Sequence, residues 1–374
     1  MVDENIPMGK EAFSAHGEVV AFAGRGLARQ DLLSADALIV RSVTRVDAAL
    51  LAGTPVRFVG TATIGTDHID QPWLASQGIG FSSAPGCNAN SVGEYAASAL
   101  TWLEAEKGFG LEGKTLGIIG WGHVGKRVEA KASALGLRVL RNDPPLAEAD
   151  PSGRFAPLER LLAECDILSL HVPLIVDGPH PTLKLCGPEF FARLARPIVL
   201  MNTCRGEVID EAALRAARAS GKVSHLVLDV FAGEPRPDPA TCAAADLVTP
   251  HIAGYSLPGK LNGTTQVAAA FRRHFGFGDH WEPLYPAPVA ADLLYVPGPD
   301  TAFLRRCIAA VYDVSADDAR LRAALGDADP GKGFDRLRRE YPIRHEFKSF
   351  QVIRLPAEKR ELRSRLETLG FRIA

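Results

Sequence analysis

The chain has 374 residues, of which 47% are hydrophobic and 23% charged. That length accommodates two or three domains with cores of their own, and the composition excludes a disordered or low-complexity chain. A net charge of −2, a pI near 6.6 and an even spread of Lys and Arg argue against a nucleic acid or other polyanionic partner.

Residues 1 to 90 alternate short apolar runs (EVVAF, ALIVRSVT, VRFVGTAT, GIGFSSAPG) with helical stretches, the rhythm of a parallel α/β sheet. The stretch SVGEYAASALTWLEAEK has helical spacing, with Ser91 as its cap and Gly108 as its stop, and is expected to link two domains. A second series starts at Lys114 with TLGIIG, RVLRND, DILSLHVP, PIVLMNT, SHLVLDVF and DLVTPH. Buried parallel strands read as continuous apolar runs rather than strict alternation, so two doubly wound units follow one another.

After His251 the helical stretch GTTQVAAAFRRHFG brings no strand and is expected to pack back onto the first unit, making it discontinuous. The prolines of WEPLYPAPVAADLLYVPGP mark a linker or a surface arm. Beyond Asp300 come the helices TAFLRRCIAAVYDV, DDARLRAAL and FDRLRREY, the strand FQVIRL, the helix AEKRELRSRLETLG and a last strand, FRIA. The expected division is 1–92 with 252–280, then 93–251, then a small α+β segment, 281–374, suited to self-association. The amino terminus lacks the basic and apolar regions of a signal peptide and no apolar stretch approaches a membrane span, which makes the cytosol the expected compartment.

GWGHVG places Gly120, Gly122 and Gly125 between a strand and a helix. The first glycine permits a tight turn, the second lets backbone approach a pyrophosphate, and the third allows close helix packing; the helix N-terminus attracts negative charge. The pattern alone is weak evidence. Its context strengthens it, because the next strand ends in Asp143, where an acid accepts hydrogen bonds from adenosine ribose hydroxyls and repels a 2′-phosphate. NAD is therefore expected over NADP, with Arg141 as a counter-indication. A turn acid before Pro144 and Pro145 is the plainer account of Asp143. Asp229, after HLVL, is a candidate for the nicotinamide carboxamide, or else a helix cap.

Arg205, Glu234 and His251 each follow a predicted strand, at the carboxyl edge where open α/β sheets bind ligands. A histidine exchanges protons near neutral pH, a carboxylate bonded to it fixes its ring, and an arginine offers a planar fork to a carboxylate. Together these types suit oxidation of a 2-hydroxy acid. Singly, each has an ordinary turn or structural role; jointly placed after one dinucleotide turn, coincidence is a poor account. His171 is read as lining the cofactor cleft and His123 as turn surface. The six cysteines, Cys87, Cys165, Cys186, Cys204, Cys242 and Cys307, are scattered without metal-ligand spacing and read as reduced thiols.

NTCRGEVIDEAAL, LDVFAGEP and TPHIAGYS resemble the three signature segments of the D-isomer-specific 2-hydroxyacid dehydrogenase family, over roughly the first 280 residues. The resemblance implies a flavodoxin-like substrate domain and a Rossmann NAD domain, with Arg205, Glu234 and His251 catalytic. It implies NAD contacts at Gly120, Gly122, His123, Val124, Gly125, Asp143, His171, Thr203, Arg205, Asp229 and Gly254, and substrate contacts at Ser42, Thr63, Arg205 and Tyr255. No metal is expected. VDENIP, RSVTRV, GTATIGTDHID, APGCNANSVGEY, PHPTLKL, HIAGYSLPGK and FDRLRREYPIRHEF point to a member that oxidises 4-phospho-D-erythronate on the way to pyridoxal phosphate. They also imply a homodimer joined through the terminal segment. The apolar run before Asp3 is only Met1 and Val2, which leaves the first strand cut short.

For a phosphorylated substrate, Arg41, Ser42, Arg45, Thr61, Thr63 and Thr66 offer hydroxyls and guanidinium groups at strand ends. Arg336, Arg338, Arg339 and Arg344 form a solvated helix face or supply charge to a partner's active site. The rival readings are another dehydrogenase of the family, such as one acting on 3-phosphoglycerate, and a non-catalytic NAD-binding regulatory protein.

Overall fold

Apolar runs bounded by turn residues become parallel strands throughout the computed structural model, which describes residues 1–150, 152–286 and 291–374. The strands are β1 Val2–Asp3, β2 Ala21–Phe22, β3 Ala37–Val40, β4 Phe58–Thr61, β5 Gly80–Ser82, β6 Thr115–Ile119, β7 Arg138–Asn142, β8 Ile167–Leu170, β9 Ile198–Asn202, β10 Val223–Leu228, β11 Leu247–Val248, β12 Asp292–Leu294, β13 Gln351–Ile353 and β14 Arg372–Ile373. They form three parallel sheets, ordered β2-β1-β3-β4-β5, β11-β10-β9-β8-β6-β7 and β12-β13-β14. Two α/β domains and a small terminal sheet result. The chain divides into two compact units, Met1–Ala89 with Tyr255–Pro286 and Asn90–Gly254 with Ala287–Ala374.

In the first unit the two-residue period of the strands sorts side chains onto two faces. Ile39 and Phe58 join Val2, Ile6, Phe13, Val267 and Phe271, while Leu38, Val40 and Val59 join Leu32, Leu51 and Leu74. The helix Leu257–Phe275 covers the former face. It starts six residues before the stretch read from the sequence, because Ser256 caps it, its Oγ accepting from Gly259 N–H at 3.0 Å, with Pro258 in the first turn. Gly60 in β4 makes its approach possible: a Cβ there would lie 2.3 Å from Val267 Cγ1.

In the second unit β6, β8 and β9 are buried along their whole length, as central strands of a covered parallel sheet must be. The strand order reverses beside β6, with β7 on one side and β8 on the other, so the glycine turn after β6 stands at a switch point. The terminal segment adds to this unit's core: Leu321 and Phe334 pack with Leu228, Phe231 and Val248, and helix Arg360–Leu369 lies on the glycine-turn helix, where Lys131 Nζ donates to Leu369 O at 2.6 Å.

Two local expectations need correction. The linking helix runs Ala89–Lys107, so Ser91 sits inside its first turn rather than capping it; its hydroxyl donates to Glu346 Oε1 at 3.1 Å. The segment read as a linker or arm contains β12, held by its pairing with β13, while residues 287–290 of that segment lie outside the described residues.

Candidate active site

The glycine turn fits a dinucleotide on steric grounds. Gly120 adopts φ +94°, and a Cβ there would lie 2.7 Å from the His171 carbonyl carbon. A Cβ on Gly125 would lie 2.3 Å from Gly120 O, which is why the helix His123–Ala134 can start directly against the turn. Around Gly122, by contrast, nothing among the described residues lies within 4 Å of that position, and the turn is open where a pyrophosphate would approach. His123 and Val124 begin the helix, and their amides belong to the first turn that intrahelical bonding leaves free.

Asp143 does two things. Its Oδ2 accepts the Trp121 N–H at 2.8 Å, tying the turn to the end of β7, and its Oδ1 caps the helix Pro144–Ala149 through Leu146 N–H at 3.2 Å. The cap fits the sequence alternative of a turn acid before Pro144 and Pro145, and because a carboxylate has about four acceptor positions these two bonds leave room for others. Arg141 is bound by Glu129, its Nε donating at 2.9 Å and 3.0 Å, and Glu129 also takes the Trp121 indole N–H. The charge that weakened the argument for NAD is thus offset within the chain.

His251 and Glu234 are in contact, Nδ1 to Oε2 at 2.8 Å, with side chains 28% and 19% exposed. His251 has φ 55°, a left-handed conformation that costs a non-glycine residue roughly 1 kcal/mol or more. Its N–H donates to Asp229 O at 2.7 Å and Thr249 O at 3.0 Å, which holds it there. The buried Asp229 carboxylate gathers the loop, accepting from Thr249 Oγ1 at 2.6 Å, Ile252 N–H at 2.8 Å and Ala253 N–H at 2.9 Å. Burial raises this carboxyl to about 6. Burial also favours the protonated form of Glu234, but the charge and hydrogen bond of His251, then Arg338 and the Phe231 N–H, outweigh it and hold that carboxyl below its ordinary range.

Arg205 extends from the loop after β9. Its Nη1 donates to Cys204 O at 2.7 Å, and Asn202 Nδ2 donates to the Arg205 carbonyl at 2.8 Å. The following Gly206 brings this loop against Phe231–Ala232, the segment that leads to Glu234. Thr203 Oγ1 lies 3.3 Å from His171 Nδ1, and Ser169 Oγ 2.8 Å from its Nε2. Burial pushes His171 well below its usual range, which keeps the ring neutral. All six cysteines are buried, and burial raises Cys204 to about 11, which favours its thiol form.

Ser42, Thr63 and Tyr255, with Arg41, Arg45 and Thr66, lie in the first unit. Ser42 is exposed; Thr63 Oγ1 is 2.8 Å from Thr61 Oγ1, which in turn meets His68 Nε2 at 3.0 Å; Lys260 Nζ stands 4.3 Å from the Tyr255 ring centroid. Arg41 is paired with Asp3 at 3.2 Å and Arg45 with Asp47 at 2.7 Å. Thr66 accepts from Gln71 at 2.9 Å. Gly254 closes the second unit. Sequence reasoning passed over Thr249, Glu129 and His68. The Thr249 signal was local, a hydroxyl two positions before His251; Glu129 meets Trp121 and Arg141, and His68 meets Thr61, only once the chain is folded.

A hollow of about 410 Å³ lined by Lys114, Arg138, Glu164, Asp166 and Arg196 lies at the opposite, amino-terminal edge of β6, β7 and β8. Its charges pair among themselves, Lys114 with Asp166 at 3.4 Å and Arg138 with Glu164 at 3.8 Å, and it holds no candidate residue.

Residues 91–253 match the D-isomer specific 2-hydroxyacid dehydrogenase NAD-binding domain, and residues 284–370 match a domain of unknown function. The erythronate-4-phosphate dehydrogenase of Serratia proteamaculans is 49% identical over 374 residues, covering 99% of this chain and 98% of that protein. The chain belongs to the D-isomer-specific 2-hydroxyacid dehydrogenase family. It is an NAD-dependent dehydrogenase. The homologue of Shigella boydii, with the same name, is 46% identical across 94% of this chain and 93% of its own. Among solved structures of this fold, D-lactate dehydrogenase of Aquifex aeolicus with NAD and lactic acid aligns with TM-score 0.61 at 26% identity, covering 73% of this chain and 93% of that one. NAD-bound 3-phosphoglycerate dehydrogenase of Entamoeba histolytica aligns with TM-score 0.61 at 27% identity, covering 74% and 92%. Among the described residues no helix is long and apolar enough to cross a membrane.

Proposed function

We propose that this family member oxidises 4-phospho-D-erythronate to 3-hydroxy-2-oxo-4-phosphooxybutanoate with NAD, an early step toward pyridoxal phosphate, in the cytoplasm. The observation that carries the chemistry is the 2.8 Å contact between His251 Nδ1 and Glu234 Oε2. A carboxylate there accepts the Nδ1 proton, which leaves Nε2 with a lone pair to act as base. His251 Nε2 takes the proton of the C2 hydroxyl as the C2–O bond becomes a carbonyl. Arg205 holds the substrate carboxylate through its guanidinium fork. NAD, held by the glycine turn Gly120 to Gly125 and Asp143, would supply the acceptor for the hydride at C2. In the reverse direction His251 returns the proton.

Support for the substrate comes from 49% identity along nearly the whole length of a relative named for that activity. In the first unit, Ser42, Thr63 and Tyr255 are proposed as further substrate contacts. The glycine turn, Asp143, His171, Thr203, Asp229 and Gly254 are proposed to face NAD. We further assign 1–92 with 252–280 to substrate, 93–251 to NAD and 281–374 to a homodimer contact. A panel of hydroxy acids tests the substrate: the expected preference in kcat/KM is for 4-phospho-D-erythronate, and faster turnover of 3-phosphoglycerate contradicts it.

A further inference from the structure

His251 needs holding. Its left-handed φ of 55° is unfavourable for a residue with a Cβ, and the aim of its ring follows the backbone on either side. Within the matched segment 91–253 that backbone is tied by Asp229, which accepts from Thr249 Oγ1 and from the Ile252 and Ala253 N–H groups. The Tyr95 hydroxyl stands 2.8 Å from Thr249 Oγ1. These contacts engage the N–H of Ala253, a residue 1% exposed, and its buried carbonyl needs a donor of its own.

The donor comes from the terminal segment. Arg344 Nη2 donates to Ala253 O at 2.6 Å and to Ser91 O, in the first turn of the helix Ala89–Lys107, at 3.2 Å. One nitrogen thus joins the end of the His251 loop to a helix of the same unit. Arg344 is 5% exposed, and its Nε and Nη1 meet no hydrogen-bond partner among the described residues. Its guanidinium lies 4.2 Å from the Tyr312 ring centroid. Tyr312 is fixed in turn: its carbonyl accepts from Ser98 Oγ at 2.8 Å, and its hydroxyl donates at 2.8 Å to the buried Asp317. A second contact holds the other side of the loop, where Asp318 of the helix Val314–Ala324 accepts the Val248 N–H at 2.7 Å. Val248 and Ala253 flank His251, and both are bonded by side chains of the terminal segment.

We propose that Arg344 is a positioning residue for the dehydrogenase reaction: bound to Ala253 O, it fixes the loop that aims His251. The proposal rests on the reading of His251 as the acid and base. An arginine suits the place because a planar guanidinium stacks on a ring while donating in its own plane, where an ammonium is a point donor. The terminal segment thereby braces the His251 loop of its own chain, where the sequence suggested a solvated face or a partner's site for this arginine.

The test compares full-length Arg344→Met, Arg344→Lys and Arg365→Met with the parent, below the Tm of each. It reads single-turnover hydride transfer from 4-phospho-D-erythronate, NAD affinity and substrate KM. Methionine keeps the bulk and removes the donors, so hydride transfer is expected to fall about tenfold, with NAD affinity and KM held within about threefold. Lysine restores part of the loss and stays about threefold below the parent. Arg365→Met removes a different bond of the terminal segment, Nε to Ala134 O at 2.7 Å, at the end of the helix His123–Ala134 remote from the glycine turn. It is expected to lower Tm and leave hydride transfer at the parental rate. Parental transfer in folded Arg344→Met overturns the proposal, and so does an equal loss in Arg365→Met, which marks general loosening. If the methionine variant does not fold, parental transfer in Arg344→Lys is equally decisive. His251→Asn separates the two possible failures. Parental transfer in that variant removes the underlying reading; collapsed transfer there with parental transfer in Arg344→Met removes only the role of Arg344.

Discussion

Gly206 and Phe231 touch through their backbones: a Cβ on Gly206 would lie 1.9 Å from the Phe231 carbonyl carbon and 2.2 Å from Ala232 N. This contact joins the loop carrying Arg205 to the segment that ends in Glu234, and only glycine fits. Because backbone cannot swing aside as a flexible side chain can, Gly206→Ala is expected to cost about 3 kcal/mol of stability by overpacking and to lower kcat/KM at least roughly tenfold. Urea unfolding and steady-state kinetics read the two effects.

Asp229→Asn tests the support beneath His251. Three donors converge on this carboxylate, so an amide nitrogen in place of one oxygen sets donor against donor. A stability loss of about 1–3 kcal/mol is expected, with a fall in kcat larger than the rise in KM. A variant with parental kcat shows that the His251 loop holds without this anchor.

The glycine turn separates binding from packing. Gly122→Ala meets nothing within 4 Å among the described residues and should leave Tm unchanged while weakening NAD binding, measured by calorimetry. Gly125→Ala runs into Gly120 O at 2.3 Å and should lower Tm as well. If Gly122→Ala binds NAD as tightly as the parent, the pyrophosphate does not approach there.

A buried cluster predicts how stability depends on pH. Glu94 accepts from Asn90 Nδ2 at 2.9 Å and Phe347 N–H at 3.0 Å, with Glu346, Lys131 and Arg344 nearby and Lys348 3.2 Å from Glu346. Burial, then the charge of Glu346, raises the Glu94 carboxyl, and burial lowers Lys131. An acid whose folded pKa lies above its unfolded one binds its proton more tightly when folded. Its contribution is full below the unfolded value of 4.5 and is lost as pH rises through the folded value. Glu94→Gln keeps the acceptor without the charge, so its stability relative to the parent should rise between about pH 5 and pH 9. Urea midpoints across that range check the trend, and a flat difference contradicts it.

The sheets, and the placing of Arg205, Glu234 and His251 after strands, were legible because both have local causes. The apolar runs TLGIIG, DILSLHVP and PIVLMNT had the composition of covered parallel strands, and the trio fell where strands end. Ser91 failed as a cap for the opposite reason: its hydroxyl is spent on Glu346, distant in sequence, and the helix begins before it. β12 has three residues among prolines and exists through its pairing with β13. Arg338 looked like one more arginine of a solvated face; only the packing of Phe334 on Phe231 turns it inward. The early start of the helix after His251 had a local sign that was passed over, Ser256 followed by Pro258.

The proton transfer proposed for His251 is tested most directly by His251→Asn, with single-turnover hydride transfer and NAD affinity measured on the same preparation. The expected result is a fall in the hydride-transfer rate of about a hundredfold or more, with NAD binding retained within a few-fold. Parental hydride transfer in that variant contradicts the assignment of His251 as the acid and base.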